Sequence, residues 1–380
     1  MIYLDAAVTV PTSTNVQERM NQVLRESWGN VSGAHGISRS AKNVLEEARE
    51  KCAKNLGVSP DNVVFTSGAT EALNMVIQGY GRKNPHAGIF YSAIEHPAVT
   101  KPAKYFKEHG HKVVVLSVDG SGIVNKKELD EISLGDLVCV MPVNNEIGVV
   151  NDVKEIAEIV HGKGGVVLLD CVQSFYVFEP SQLCEYADFA VFSSHKLGGP
   201  QGVGLLMIKD RKSIDNLSFG GSQEWELRPG TTPTFLIDAM SFVLEQAIEN
   251  RESSIDHISQ CERTCKQVID EFIPEAKIHA ADSPRSPHVV AIDLGNIESQ
   301  MLVAMIDSRG VCVSRGSACA SGAATPSPVL IALGIEPENA TSTLRLSFHP
   351  GTKIEDIKDG VKIISECVSQ LRAMQKVSTS

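Results

Sequence analysis

The chain has 380 residues, which is enough for two domains, and its 42% hydrophobic and 21% charged residues are typical of globular proteins. The formal net charge is −11 at pH 7 and no basic tract is present, which disfavours direct binding of nucleic acid through phosphate contacts. The N-terminus does not resemble a secretory signal, and no run approaches the roughly 20 apolar residues of a membrane span. We therefore expect a cytoplasmic protein that does not enter a membrane.

The nine cysteines are scattered without CxxC pairs, a pattern that predicts free thiols in a reducing compartment. Cys261 and Cys265 are four residues apart among charged residues. We expect this pair on a partly exposed helix face rather than at a metal site, because the spacing alone is a weak metal signal. The sequence predicts no metal centre.

Short apolar runs alternate with amphipathic stretches over the first 210 residues. This alternation predicts an α/β fold in which helices cover both faces of a parallel sheet. The predicted strands cover residues 63–66, 89–92, 112–116, 137–141, 166–170, 189–192 and 203–208. The predicted helices cover residues 14–25, 40–56, 69–79 and 153–161. No GxGxxG motif follows an early strand, which argues against a nicotinamide cofactor.

After residue 208 the sequence changes character. A loop-rich segment over 219–233 precedes a long predicted helical region over 235–272, and a smaller α+β unit follows. The strands predicted in that unit cover 288–294, 311–314 and 343–348. We expect the N-terminal segment to pack against it. Residues 15–250 are therefore assigned to a large domain, and residues 1–14 with 251–380 to a small one.

An acid and an amine follow two consecutive strands of the predicted sheet. One strand ends at Asp170, with Gln173 just beyond it, and the next is followed by His195 and Lys196. Ligands of open α/β sheets bind at the carboxyl ends of the strands. The sequence therefore predicts that Asp170 and Lys196 face one crevice.

The strand at 63–66 turns through Ser67 and Gly68 into a predicted helix that begins near Ala69 and Thr70. A helix N-terminus offers free N–H groups and the positive end of the helix dipole, which together suit a phosphate. A simple N-cap by Ser67 or Thr70 fits these residues equally well.

Polar residues follow two further strands. His96 comes after the strand at 89–92, where it is either a structural residue or a catalyst. Asn144, Asn145 and Glu146 come after the strand at 137–141 and are either turn residues or donors to a bound ligand.

The final third contains two more candidates. Cys319 lies in a Gly/Ser/Ala-rich segment, where its thiol is either a nucleophile or an incidental residue of a surface loop. Arg345 is a charge within an apolar strand, so its guanidinium is expected to bind either a substrate carboxylate or an acid of the protein itself.

Taken together, these motifs resemble the cysteine desulfurases of the NifS/IscS type, a branch of the aminotransferase class V enzymes. The resemblance runs along nearly the whole chain, and the order and spacing of the motifs make it specific. The motifs are Tyr3-Leu4-Asp5, Ser67-Gly68-Ala69-Thr70-Glu71, Glu95-His96, Asn144-Asn145-Glu146-Ile147-Gly148, Asp170-x-x-Gln173, Ser193-x-His195-Lys196, Arg228-Pro229-Gly230-Thr231, Ser317-Ala318-Cys319 and Arg345-Leu346-Ser347. The chain differs from the family pattern at Ala6 and Val31.

The resemblance implies a fold-type I architecture, with a large, mainly parallel α/β/α domain that binds pyridoxal 5'-phosphate and a smaller α+β domain. It implies that Lys196 forms the Schiff base with the cofactor and later moves the substrate Cα proton. Asp170 would keep the pyridine nitrogen protonated, so that the ring acts as an electron sink. Gln173 would contact the ring hydroxyl oxygen, and His96 would stack on the ring and assist proton transfer.

The same resemblance implies positions for the phosphate and the substrate. Ala69, Thr70, Ser193 and His195 would hold the phosphate, together with Thr231 from a second subunit. Asn145 would contact the cofactor and, with Arg345, bind the substrate carboxylate. Cys319 would attack the substrate sulfur.

The activity implied is that of a homodimeric desulfurase, with each active site at the subunit interface. It would convert L-cysteine to L-alanine and leave a persulfide on Cys319 for acceptor proteins in iron–sulfur cluster assembly or nucleic-acid thiolation. One alternative is another class V enzyme, such as a selenocysteine or cysteine-sulfinate lyase or a small-amino-acid transaminase. A sulfur donor dedicated to one pathway and a catalytically inactive scaffold are two further alternatives.

Overall fold

The computed structural model describes residues 1–295, 297–316 and 325–378. Its strands are β1 (Ile2–Tyr3), β2 (Val63–Thr66), β3 (Ile89–Ser92), β4 (Val113–Leu116), β5 (Leu137–Val140), β6 (Val166–Asp170), β7 (Phe189–Ser193), β8 (Gly204–Ile208), β9 (Lys277–Ile278), β10 (Val289–Asp293), β11 (Val311–Cys312), β12 (Ser314–Arg315) and β13 (Thr343–Ser347). Its α-helices are α1 (Thr14–Glu26), α2 (Gly36–Leu56), α3 (Ala69–Lys83), α4 (Pro97–Glu108), α5 (Val153–Gly162), α6 (Pro180–Tyr186), α7 (Thr234–Glu249), α8 (Arg251–Phe272), α9 (Ser299–Ser308), α10 (Pro328–Ala332), α11 (Pro337–Thr341) and α12 (Ile354–Ser378).

A seven-stranded sheet with the strand order β2-β8-β7-β6-β5-β3-β4 forms the centre of the molecule. Successive side chains of its strands point to opposite faces, and both faces are covered. On β6, Val167 and Leu169 join the apolar core on one face, whereas Leu168 joins the core on the other. This burial on both faces explains why the strands are continuous apolar runs, and it confirms the predicted α/β fold.

The strand at 203–208 was expected to run parallel to its neighbours, and that expectation is wrong. β8 pairs antiparallel with both β7 and β2. The connection from β7 covers residues 194–203 and contains only a short 3-10 turn over Ser194–Lys196. It is too short for a parallel crossover, which needs about a dozen residues or more.

The helical region predicted over 235–272 is two helices, α7 and α8, which meet at Asn250. The Asn250 side chain donates a 2.8 Å hydrogen bond to the carbonyl of Gln246, and its own backbone is not helical. Asparagine side chains compete in this way for helix backbone groups, which explains the break.

A second sheet, with the strand order β12-β13-β10-β9, belongs to the C-terminal part of the chain. The N-terminal strand β1 pairs in parallel with β11, with Ile2 opposite Val311, and the backbone of Asp5 forms a bridge to Ser347 at the end of β13. The N-terminal segment therefore packs against this region, as expected. The assignment of residues to two domains stays a prediction.

Cys261 and Cys265 do not lie on a partly exposed helix face, which corrects the expectation from their charged neighbours. Both side chains are fully buried in the core where α8 packs against α12. Among the described residues there is no cluster of three or more His, Cys, Asp or Glu side chains placed to hold a metal ion. No helix in the described part of the chain is long and apolar enough to cross a membrane.

Candidate active site

A cavity of about 540 Å³ lies at the carboxyl edge of the central sheet. In open α/β sheets this is the edge where ligands bind. Ten residues singled out from the sequence line it, namely Ala69, Thr70, His96, Asn145, Asp170, Gln173, Ser193, His195, Lys196 and Arg345. Thr231 is exposed and does not line the cavity of its own chain. Cys319 lies outside the described residues.

The N-terminus of α3 forms one end of the cavity. The helix begins after Gly68, and no side chain in the described part of the chain accepts a hydrogen bond from its first N–H groups, so neither Ser67 nor Thr70 acts as an N-cap. The 15 residues of α3 supply a full helix dipole behind these groups. Of the two interpretations left open by the sequence, the structure favours an anion site at this turn.

A close backbone approach shapes the same end of the cavity. A Cβ atom on Gly204, the first residue of β8, would lie 2.6 Å from the Cα of Gly68. Only glycine fits there, because real Cβ contacts are longer. Glu71 holds the turn from the other side, since its carboxylate accepts a 2.6 Å hydrogen bond from the Ser67 N–H and a 3.1 Å bond from Arg228 Nε.

Lys196 ends the 3-10 turn that follows β7. Its Nζ donates hydrogen bonds of 2.6 Å to the carbonyl oxygens of Ala7 and Val8. The neighbouring His195 contacts Thr9 Oγ1 through Nδ1 at 3.2 Å, so the N-terminal segment holds this turn at two points. Burial and the nearby Lys196 lower the pKa of His195 to about 4. The amine is thus held in place by backbone acceptors at the cavity wall.

Asp170 is the last residue of β6 and is 6% exposed. One carboxylate oxygen accepts a 3.1 Å hydrogen bond from the Val172 N–H. Burial raises the pKa of Asp170, while the nearby His96 and Lys196 act in the opposite direction. A buried carboxyl group at a cavity wall is best stabilised as an anion by a cation within that cavity.

His96 has the structural role that the sequence left open, and its catalytic role stays a prediction. It is the N-cap of α4, and its Nδ1 accepts a 3.1 Å hydrogen bond from the Ala98 N–H. Its ring also lines the cavity. Burial lowers the pKa of His96, so the neutral ring with its proton on Nε2 is favoured.

The two adjacent amides after β5 have different roles. Asn144 is fully buried, and its Oδ1 accepts hydrogen bonds from the N–H groups of Glu146 and Ile147, at 2.8 and 3.0 Å. It is a turn residue. The next residue, Asn145, lines the cavity.

Arg345 on β13 is 1% exposed and also reaches the cavity wall. Its Nη1 donates to the Asn145 carbonyl at 2.9 Å and its Nη2 to Asp5 Oδ1 at 3.0 Å. Its Nε has no hydrogen-bond partner among the described residues. The internal ion pair that the sequence left open as one alternative therefore exists, and it uses only part of the donor capacity of a guanidinium that lines the cavity.

The strand that precedes the segment containing Cys319 lies next to this arginine. β12 pairs antiparallel with β13, and Ser314 lies directly opposite Arg345. Beyond the segment, the Ser327 hydroxyl donates a 2.5 Å hydrogen bond to Glu146 Oε2. Burial raises the pKa of Glu146 to about 7. The described residues on both sides of the segment are thus fixed close to residues 145 and 146.

Sequence reasoning missed two backbone groups and one side chain at this site, and it did not name the acid that pairs with Arg345. The Ala7 and Val8 carbonyls leave no side-chain signal, and the pairing of Asp5 with Arg345 joins residues 340 positions apart. His288, at the start of β10, contacts the Gln173 side chain at 2.9 Å although the two are 115 positions apart. A lone histidine in an apolar stretch gave no signal for that contact.

Comparisons with known proteins agree with this arrangement. The aminotransferase class-V family model matches residues 2–359. Cysteine desulfurase IscS of Dictyoglomus turgidum is 32% identical over 380 residues, covering 98% of this chain and 96% of the relative. The structure of a NifS-like protein superimposes with a TM-score of 0.90 at 30% identity, covering 97% of this chain and all of the other. A structure of SspA in complex with cysteine has a TM-score of 0.78 at 28% identity, covering 92% and 99% of the two chains.

The chain therefore belongs to the aminotransferase class-V family, among the cysteine desulfurases of the NifS/IscS type. Enzymes of this family depend on pyridoxal phosphate, and the cavity fits that group. The uncapped N-terminus of α3 suits the phosphate, the buried Asp170 suits a protonated ring nitrogen, and Lys196 supplies an amine for the aldehyde. The assignment of a role to each residue stays a prediction.

Proposed function

We propose that this protein removes sulfur from L-cysteine, releasing L-alanine and leaving a persulfide on Cys319. The observation that carries the proposal is the meeting in one cavity of a lysine amine, a buried carboxyl group and a buried arginine, beside the strand that leads to Cys319. The likeness to proteins named cysteine desulfurase, and to one whose structure contains cysteine, supports L-cysteine as the substrate.

The cofactor would be held at three points. The first N–H groups of α3, with Ser193 and His195, would bind the phosphate, Asp170 would bind the ring nitrogen, and Gln173 would donate to the ring oxygen. When bound, pyridoxal phosphate supplies an electron sink for the negative charge that develops at the substrate Cα.

The substrate carboxylate would bind to Arg345 and Asn145. Arg345 is rigidly held by the Asn145 carbonyl and by Asp5, so its guanidinium loses little side-chain freedom on binding the carboxylate.

Two groups would move protons. Lys196 would accept the substrate Cα proton, because its amine is held at the cavity wall by the Ala7 and Val8 carbonyls. His96, neutral and with its proton on Nε2, would assist in proton transfer across the substrate.

The nucleophile in sulfur transfer would be the thiolate of Cys319. Attack on the substrate sulfur forms an S–S bond while the substrate C–S bond breaks, and the carbon takes up a proton to complete alanine. The persulfide would then pass to sulfur-acceptor proteins. Iron–sulfur cluster assembly and nucleic-acid thiolation are the pathways that such a donor would serve.

We further propose that the protein is a homodimer with the active site at the subunit interface. Thr231 is exposed and lies away from the cavity of its own chain, which supports a contact with the phosphate site of a second copy. The cell compartment proposed is the cytoplasm.

The test is a stoichiometric assay on the cofactor-loaded protein with L-cysteine and a reducing thiol. We expect sulfide and alanine to appear in equal amounts, and activity to be lost in Lys196→Ala and in Cys319→Ser. Pyruvate or a transaminated product in place of alanine would instead indicate another class V activity. Turnover of cysteine sulfinate or selenocysteine that does not depend on Cys319 would indicate a lyase.

A further inference from the structure

A buried chain of three polar side chains leads from the C-terminal part of the molecule to the wall of the cavity. Ser286 Oγ lies 2.6 Å from His288 Nδ1, and His288 Nε2 lies 2.9 Å from Gln173 Oε1. The three side chains are 0%, 3% and 8% exposed. The proposed function assigns a role to Gln173 but none to Ser286 or His288.

The direction of each hydrogen bond in this chain follows from the groups at its end. The carbonyl oxygen of Ala7 lies 2.9 Å from Gln173 Nε2 and can only accept, so the amide nitrogen of Gln173 must face it. Gln173 Oε1 then faces His288 and can only accept as well. His288 must therefore carry its proton on Nε2, and the Ser286 hydroxyl must donate to Nδ1.

The charge state of the ring agrees with this assignment. Burial, together with the positive charges of Arg345 and Lys196, lowers the pKa of His288 to about 3. The imidazole is therefore neutral and has one donor and one acceptor, each of which has a partner in the chain.

These hydrogen bonds fix the side-chain amide of Gln173 in one orientation at the cavity wall. One Nε2–H of Gln173 is bonded to the Ala7 carbonyl, which also accepts from Lys196 Nζ, and Oε1 is bonded to His288. The second Nε2–H is the one polar group of this side chain without a partner among the described residues, and Gln173 lines the cavity. In the opposite amide orientation, an oxygen would face the Ala7 carbonyl.

We propose that His288 is a positioning residue, which donates from Nε2 to Gln173 so that an N–H rather than the carbonyl oxygen of the amide is presented to the cofactor. The inference rests on the proposed function, because it takes the negatively charged ring oxygen of pyridoxal phosphate as the group that receives this N–H. Ser286 sets the tautomer of His288, and His288 holds the orientation of Gln173 together with the Ala7 carbonyl.

A purely structural role for His288 predicts different behaviour. Its ring packs against Tyr176, with the ring centroids 5.3 Å apart, and its backbone carbonyl accepts from the Phe348 N–H. If the ring only filled space, substitutions would change the stability of the protein. The effect of a His288 substitution on cofactor affinity would then be the same with and without the Gln173 amide.

The experiment measures the dissociation constant of pyridoxal phosphate by equilibrium dialysis of the full-length protein. His288→Leu removes the donor with little change in volume, and we expect about 10-fold weaker binding, the cost of a lost hydrogen bond to a buried amide. His288→Gln places an N–H at a similar distance from the backbone and should recover affinity to within about 3-fold of the wild type. Thermal unfolding of the cofactor-free proteins reports any purely structural cost separately.

A double-mutant comparison decides whether His288 acts through Gln173. In a Gln173→Met background, His288→Leu should weaken binding by less than about 2-fold more, because the amide it orients is absent. An equal effect of His288→Leu in both backgrounds, or no effect in either, would overturn the proposal.

Ser286→Ala extends the test if His288→Leu does not fold. Loss of the Ser286 hydroxyl allows the proton of His288 to move to Nδ1, so we expect about 3-fold weaker binding that disappears in the Gln173→Met background. Unchanged affinity in Ser286→Ala would then contradict the proposal. The sulfide and alanine assay of the wild-type protein tests the proposed function independently of all these variants.

Discussion

Arg345 Nη2 donates a 3.0 Å hydrogen bond to Asp5 Oδ1, which joins an inner strand of the C-terminal sheet to the N-terminal segment. The same N-terminal segment supplies the Ala7 and Val8 carbonyls that hold Lys196. Residues from the two ends of the chain therefore define where the proposed substrate carboxylate and the reactive amine lie relative to each other.

Arg345→Lys should raise the KM for L-cysteine by about 10- to 100-fold. A lysine keeps the positive charge but loses the guanidinium fork and its contact with the Asn145 carbonyl, so carboxylate binding weakens. Steady-state kinetics measure the effect, with Arg25→Lys on an exposed position of α1 as the control. An unchanged KM would mean that the carboxylate binds elsewhere.

His96→Gln should lower kcat by about 100-fold or more while the protein still binds the cofactor, because the variant lacks the proton-transfer group at the cavity wall. Glutamine can still accept the Ala98 N–H that His96 caps, so α4 is not expected to unravel. His109→Gln, an exposed histidine at the end of α4, is the control. A kcat within a few-fold of the wild type would remove His96 from the proposed chemistry.

His288 should contribute a loss of stability on acidification, whereas Glu146, whose pKa is raised to about 7, contributes in the opposite direction in both the wild type and the variant below. The pKa of His288 is lowered to about 3, below the ordinary 6.5, so the unfolded chain binds more protons than the fold between these two values. The loss in the free energy of unfolding expected from His288 is about 1 kcal/mol per pH unit below pH 6.5. Urea unfolding of the cofactor-free protein at pH 7, 6 and 5 checks this.

His288→Gln provides the matched comparison for that pH series. Glutamine does not titrate, so the variant should lose less stability between pH 7 and pH 5 than the wild type. His195, whose pKa is lowered to about 4, contributes a similar dependence to both proteins. If the free energy of unfolding falls equally with pH in the two proteins, His288 does not titrate between pH 7 and pH 5.

Cys319→Ser should bind cofactor and L-cysteine normally but form no protein persulfide, because a hydroxyl does not replace a thiolate as the sulfur acceptor. Cys312→Ser is the matched control, since Cys312 is a partly exposed thiol on the neighbouring strand β11. Mass spectrometry of the intact proteins after exposure to L-cysteine detects the added sulfur. Persulfide on the Cys319→Ser protein would place the nucleophile elsewhere.

The apolar runs ending at Asp170 and Ser193 predicted the two central strands because side chains buried on both faces must be apolar. The reversed direction of β8 was not predictable from its composition, which is the same for parallel and antiparallel buried strands. The direction of β8 could have been inferred from the length of the connection between β7 and β8, since a short connection favours an antiparallel strand.

The candidate site was predictable wherever a reactive side chain follows a strand, as with Lys196 and Asp170. It was not predictable wherever a backbone group or a distant residue completes the site. The Ala7 carbonyl is one example, and any residue type would supply it. The sequence also could not show that Asn144 stabilises the turn while Asn145 lines the cavity. The two residues are identical and adjacent, and only the geometry of the turn distinguishes their positions.

The central claim is that Lys196 is the amine that binds pyridoxal phosphate. Reduction of the cofactor-loaded protein with sodium borohydride, followed by peptide mass spectrometry, measures this directly. We predict that the pyridoxyl modification appears on Lys196 and that Lys196→Ala retains no covalently attached cofactor. Modification of a different lysine in the wild-type protein, or covalent attachment at normal yield in Lys196→Ala, would contradict the account.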